Sequence, residues 1–138
     1  MSRLFLDAAY AIALAAPKDQ HHAKAAALAA RIKTDGTRLI TTRAVVLEIG
    51  NALAKQRYRQ MAYALLAALE ADPQVEIVPI SEQLYHQAFR LFRERPDKEW
   101  GLTDCIPFIV MQEQGITDAL TADEDFQQAG FRALLRES

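Results

Sequence analysis

The sequence predicts an α/β fold with a mostly parallel central sheet and helices on both faces. Two observations carry this. Short apolar runs alternate with longer helical segments along the chain, the pattern of repeated strand–helix–strand units. The 138 residues, 51% hydrophobic and 25% charged, are also enough to bury a core, so one domain is expected over residues 1–138. No Gly/Ser linker, low-complexity tract or fixed-period repeat divides it.

The elements follow in order. Leu4-Phe5-Leu6 reads as a buried strand ending at Asp7, and residues 8–16 as a helix that Pro17 stops. Asp19 is placed to cap a second helix running to Lys33, with Gly36 as its stop. Its core, A-K-A-A-A-L-A-A at 23–30, favours helix but carries no chemistry. A strand at 38–41 leads into helices from 42 or 43 to 57 and from 60 to 70. V-E-I-V-P-I at 75–80 is a third strand, and Ser81 caps a helix reaching Arg95. After a polar loop at 96–101, Thr103 is the cap candidate for a helix over 104–114 that ends at Gly115. A strand at 118–121, a short helix at 124–129 and a strand at 131–134 complete the chain.

Composition excludes several classes. One cysteine, Cys105, rules out a disulfide framework or a Cys-rich zinc module. The apolar runs fall short of the roughly 18 residues of a membrane span. The apolar stretch after Arg3 is too short for a signal peptide, so a reducing, cytoplasmic setting is expected. With a net charge of -2 the molecule is no polycation, and chemistry on phosphates would need local charge or a metal. No Gly-rich phosphate loop appears among the five glycines. His21 and His22, adjacent on a helix, point about 100° apart and make a poor metal pair. His86 is isolated, Cys105 has no His partner, and Trp100 reads as a loop-packing residue.

Of 18 acidic residues, four are placed unusually. Asp7 directly follows a fully apolar strand, and Asp123 follows Ala119-Leu120-Thr121. Asp104 begins a helix after a loop at the same edge. Glu48 lies in a helix among Val45, Val46, Leu47, Ile49 and Ala52, at the rim of a buried stripe. In a parallel sheet the carboxyl ends of the strands share one edge, where ligands bind, so four acids distant in sequence meet there. Two such charges about 4 Å apart repel by roughly 4 kcal/mol at an effective dielectric near 20. Raised pKa values or a divalent cation must relieve this. An all-oxygen set suits Mg²⁺ or Mn²⁺ better than zinc. Each Asp alone also has a structural reading: Asp7 and Asp123 as caps, Asp104 as a first-turn acid. Neither a cap nor a solvated face explains Glu48.

At these residues the chain resembles the PIN-domain family, and within it the VapC-type ribonuclease toxins. The resemblance rests on F-L-D-A-A-Y at 5–10, D-Q-H-H at 19–22 and T-T-R-A-V-V-L-E-I-G-N-A-L at 41–53. It continues through W-G-L-T-D-C-I-P-F-I-V-M at 100–111, G-I-T-D-A-L-T-A-D-E-D-F at 115–126 and A-G-F at 129–131. It implies a three-layer α/β/α sandwich and an acidic site of Asp7, Glu48, Asp104 and Asp123, with Thr121 and Asn51 as hydrogen-bonding partners. Asp125 is a further acid, or an exposed one. Pro107 is unusual for the motif, and its place in the first turn of a helix led by Asp104 makes it tolerable.

The function implied is Mg²⁺- or Mn²⁺-dependent endonucleolytic hydrolysis of RNA, leaving 3′-hydroxyl and 5′-phosphate ends. Asp7, Asp104 and Asp123 would be the main ligands, and Glu48 would orient a second cation or the attacking water. The resemblance further implies a cognate antitoxin covering the crevice and a homodimer. The second helix and the helix pair over 42–70 offer apolar faces for these partners, or else bury them internally. The run Lys55-Gln56-Arg57-Tyr58-Arg59, with Arg43 at the start of the same helix, either steers RNA or is a solvated helix end; Arg90, Arg93 and Arg95 are equally open. The rival from another class is a catalytically inactive module binding RNA or protein. Phosphotransfer scaffolds are disfavoured, since Ala9 stands where a dehalogenase-like phosphatase needs a second Asp, and Pro79-Ile80-Ser81 where a receiver needs its phosphoacceptor.

Overall fold

Leu4, Phe5 and Leu6 of β1 (Arg3–Leu6) are buried completely or nearly so. Such a strand needs neighbours on both edges and cover on both faces. β1 pairs in parallel with β2 (Arg38–Thr42) and with β4 (Asp118–Leu120), so that Phe5 stands opposite both Ile40 and Ala119. β3 (Val75–Val78) adds beyond β2 and β5 (Arg132–Ala133) beyond β4. The result, in a computed structural model describing residues 3–138, is a five-stranded parallel sheet in the order β3-β2-β1-β4-β5. Met1 and Ser2, which open the predicted domain, lie outside the described residues.

The helices are α1 (Ala8–Ala15), α2 (His22–Asp35), α3 (Arg43–Ala52), α4 (Arg59–Ala71), α5 (Glu82–Glu94), α6 (Leu102–Gln114) and α7 (Glu124–Gln128). From β1 to β3 the chain steps in one direction, and right-handed crossovers put α1 to α4 on one face. It then returns past β1 to β4 and β5, which puts α5 to α7 on the other. Contacts follow this division: α1 packs on α2, α3 and α4, and α5 on α6. The predicted α/β/α sandwich is therefore formed. Its direction reverses between β1 and β4, and beyond the carboxyl ends of two such strands a crevice opens. Asp7 follows one strand and Asp123 lies three residues past the other.

Local chemistry sets most boundaries as expected. Thr42 Oγ1 accepts from Val45 N–H at 3.2 Å to cap α3, and Ser81 Oγ accepts from Leu84 N–H at 3.0 Å to cap α5. Gly36 and Gly115 close α2 and α6 at φ of 65° and 67°, where a side chain would be strained.

Other boundaries need correction. α2 starts at His22 with His21 at the cap, because Asp19 instead forms a turn ahead of it, its Oδ1 accepting from His21 N–H at 2.8 Å. α3 ends at Ala52 rather than 57. The polar residues beyond it have no apolar face to bury, and a 3₁₀ turn at Gln56–Tyr58 reverses the chain so that α4 packs back on α3. β3 stops at Val78 because Pro79 has no N–H for a ladder. β5 is only Arg132–Ala133, the chain tightening at once into a 3₁₀ turn at Leu134–Arg136.

α6 is capped by Gly101, not Thr103, so Asp104 is its third residue and Pro107 sits in the second turn. The bond that Pro107 forgoes is to the carbonyl of Thr103, an exposed residue that water can satisfy.

Candidate active site

The crevice edge gathers the four predicted acids. Asp7 is 8% exposed, and its Oδ2 accepts from Thr121 Oγ1 at 2.6 Å. Burial pushes its pKa up; the Thr121 hydrogen bond opposes this, and the charges of Asp123 and Asp104 add to it. Its side chain forms no regular capping bond to α1, although the Ala8 N–H, like Thr121, favours its charged form. Asp104, half-buried, accepts from Gly101 N–H through Oδ2 at 2.9 Å. Its pKa is also raised, first by burial and then by Asp123. Asp123 accepts from Asp125 N–H through Oδ1 at 2.9 Å and so caps α7. For both residues the structural role engages one carboxylate oxygen and leaves the other unbonded within the described chain.

Glu48 has no such role. It projects from the second turn of α3, half-buried, with no hydrogen bond or ion pair among the described residues. Burial, then the charges of Asp7, Asp104 and Asp123, raise its pKa to about 7. Glu48 thus faces the same edge as these three acids, while the 4.8 Å cluster itself does not include it.

The supporting candidates separate. Thr121 is fully buried and central: besides donating to Asp7, its hydroxyl accepts from Asp123 N–H at 3.1 Å, tying two acids together. Asp125 belongs to the cluster rather than the exposed surface. Asp104, Asp123 and Asp125 each bring an oxygen within 4.8 Å of the other two. Burial followed by Asp123 and Asp104 raises the Asp125 pKa. Asn51 does not join: it is exposed one turn beyond Glu48 and bonds to no described carboxylate.

Two contributions were missed. The Thr41 hydroxyl, buried at the end of β2, donates to the Leu6 carbonyl at 2.7 Å and fixes the backbone before Asp7. The Gly101 N–H aims Asp104. The paired threonines at 41–42 were a usable signal for the first; nothing in the sequence marked the second.

At 4.8 Å each carboxylate pair repels by roughly 3.5 kcal/mol at a dielectric near 20, before solvent screening reduces it. No Lys, Arg or His side chain among the described residues forms an ion pair with these acids. An oxygen-only, uncompensated donor set of this kind fits a hard divalent cation. Cys105 is fully buried, and burial followed by Asp104 pushes its thiol up to about 11, so it is no nucleophile. His22 Nδ1 is engaged with the Ala13 carbonyl at 2.8 Å. Arg43 pairs with Glu70 on α4, at the opposite end of α3 from Lys55, Arg57 and Arg59, so it stands apart from that run.

A family model described as PIN domain matches residues 4–132, which include Asp7, Glu48 and the clustered Asp104, Asp123 and Asp125. The chain belongs to the PIN-domain family. The PIN domain also resembles solved structures. VapC20 of Mycobacterium tuberculosis, described as a toxin cleaving the sarcin–ricin loop, is 26% identical with a TM-score of 0.80, over 93% of this chain and 95% of that one. VapBC2 of Rickettsia felis, solved bound to a DNA fragment from its promoter, is 13% identical with a TM-score of 0.65, over 95% of this chain and 96% of that one, and bears on the fold alone. No protein of curated function matches this PIN domain.

Proposed function

We propose that this PIN domain is a divalent-metal-dependent endoribonuclease and the toxin of a type II toxin–antitoxin pair. The observation that carries the reading is the gathering of Asp7, Glu48, Asp104 and Asp123 at the reversal point of the sheet, with Asp125 beside them and no ion-paired basic side chain among the described residues. The 26% likeness to a toxin described as cleaving the sarcin–ricin loop supports RNA as the substrate class.

Asp7, Asp104 and Asp123 would hold Mg²⁺ or Mn²⁺, with Glu48 and Asp125 completing the site. The chemistry such an ion supplies is Lewis acidity toward a phosphate oxygen and a water molecule. Thr121 holds the Asp7 carboxylate at a fixed angle and joins it to the backbone of Asp123. Asp104 is aimed by Gly101 N–H. Glu48, without a hydrogen bond among the described residues and with its pKa raised by burial, is placed to take a proton from the attacking water. As the water oxygen bonds to phosphorus the bond from phosphorus to the 3′ oxygen would break, and solvent water would protonate that oxygen, which gives 3′-hydroxyl and 5′-phosphate ends.

The partners follow from the same reading. An antitoxin would inhibit by covering the crevice. A cavity of about 520 Å³ between α1, α2 and α4, lined in part by Leu14, Ile32, Leu65 and Leu69, lies toward the amino ends of β2 and β3, away from the acids, so an antitoxin seated there would have to extend across α1 and α4 to cover the crevice. α2 is less available than expected, since it buries Ala25 and Leu28 against the core. Large exposed apolar side chains lie instead on α3 and α4 (Leu47, Tyr63) and on α5 (Tyr85, Phe89, Phe92), faces available to a homodimer. No helix among the described residues is long and apolar enough to cross a membrane.

The test is incubation of purified, partner-free protein with total RNA and Mn²⁺, followed by sequencing of the ends. We expect discrete cuts bearing 5′-phosphates, and Asp104→Asn to slow them by about a hundredfold or more while folding normally. Intact RNA, or equal cutting by the variant, would refute the reading.

A further inference from the structure

Four aromatic rings run through the core as one continuous row. Trp100 meets the Phe108 ring edge-on at 5.0 Å and 71°, and Phe108 meets Phe126 edge-on at 5.0 Å and 87°. Phe126 lies 6.2 Å from Phe5. All four are buried. The outer end is closed by Arg95, whose guanidinium lies 5.3 Å over the indole while its Nε and one terminal nitrogen bond Asp97 at 3.0 and 2.9 Å.

Each ring sits beside an acid along the chain. Phe5 is two residues before Asp7. Phe108 is one helical turn after Asp104 on α6, and Phe126 is three residues after Asp123 and adjacent to Asp125 on α7. Trp100 precedes Gly101, whose N–H holds Asp104.

The acids on α6 and α7 repel one another, yet no hydrogen bond or ion pair among the described residues joins these two helices. β1 and β4, by contrast, are tied by their ladder and by Thr121. The Asp104 helix meets the Asp123–Asp125 turn through ring packing: Phe108 stands edge-to-face on Phe126, a geometry that aromatic quadrupoles favour, and also lies 5.9 Å from Phe131, whose N–H donates to the Phe126 carbonyl at 3.0 Å.

We infer that Phe108 and Phe126 are positioning residues for the candidate metal centre, their ring pair setting the separation of Asp104 from Asp123 and Asp125. This rests on the divalent-metal reading of the site. Glu48, on α3, stands outside the row. Its placement is independent of these rings.

The test is calorimetric titration of Mn²⁺ into the metal-free protein, paired with thermal unfolding in chelator. Phe126→Leu and Phe108→Leu should each weaken Mn²⁺ binding about tenfold or more, the range found when the groups that orient metal ligands are removed. Leu28→Ala, a core truncation on α2, should lower Tm but keep wild-type affinity. Should one Phe variant fail to fold, the other carries the test; should both fail, Trp100→Leu at the outer end does, with the same expectation of weaker binding than Leu28→Ala. Wild-type affinity in the folded aromatic variants, or equal weakening by Leu28→Ala, would overturn the proposal. Asp104→Asn in the same titration separates the two claims. Weak binding there with unchanged aromatic variants removes only the positioning role, whereas wild-type binding there removes the metal site itself.

Discussion

Glu48 is the most informative single residue. A carboxyl whose pKa rises from 4.5 to about 7 on folding binds a proton more tightly in the native than in the unfolded chain. Its contribution to stability is therefore full below about pH 4.5 and is lost as the pH rises through about 7. Asp7 and Asp104, also raised, act in the same direction. We expect the Tm of metal-free protein to fall as pH rises across this window. Glu48→Gln should flatten that dependence by about 1 kcal/mol, solvent screening at this half-exposed carboxyl reducing what its full shift would give. Mn²⁺ should oppose the fall, since it competes with protons for the same oxygens, and its affinity should climb with pH. Thermal unfolding at several pH values, with and without Mn²⁺, checks both. A Tm independent of pH between 4.5 and 7 would show that these carboxyls do not share one charged pocket.

At the scale of elements, the start of α6 is the sensitive point. A Cβ added at Gly101 would stand 3.3 Å from Asp104 Oδ2, although its φ of -72° is open to any residue. Gly101→Ala should leave Tm nearly unchanged yet displace the carboxylate by a few tenths of an ångström and lower ribonuclease activity about tenfold. Unchanged activity in the folded variant would show that the cap hydrogen bond does not aim the ligand.

The same element shows what was legible in the sequence. The strand runs, the acids after them and the caps at Thr42 and Ser81 are local patterns. Gly101 was passed over because a glycine cap carries no side-chain signal, whereas Thr103 does. The break after Ala52 was unreadable because no Gly or Pro marks it. It follows from how α4 folds back on α3, a tertiary effect. Asp125 stood between two readings because its flank is polar, and only the approach of α6 to α7 decides between them.

At the scale of the molecule, the reversal of direction between β1 and β4 converts a linear pattern into a site. The strand ends were readable as sharing an edge, so the convergence of Asp7, Asp104 and Asp123 was foreseeable. The distances were not, because they depend on tertiary contacts that no local pattern marks, such as Thr121 on Asp7, 114 residues apart, and the ring of Phe108 on that of Phe126. An acid pocket in a chain of net charge -2 repels RNA, so a bound cation must reverse the local field before substrate can approach. The most direct measurement is an anomalous-difference map from crystals soaked in Mn²⁺. We expect density bounded by the carboxylates of Asp7, Asp104 and Asp123, with Glu48 or Asp125 completing its surroundings. A map with no manganese among these side chains at saturating Mn²⁺ would contradict the central claim.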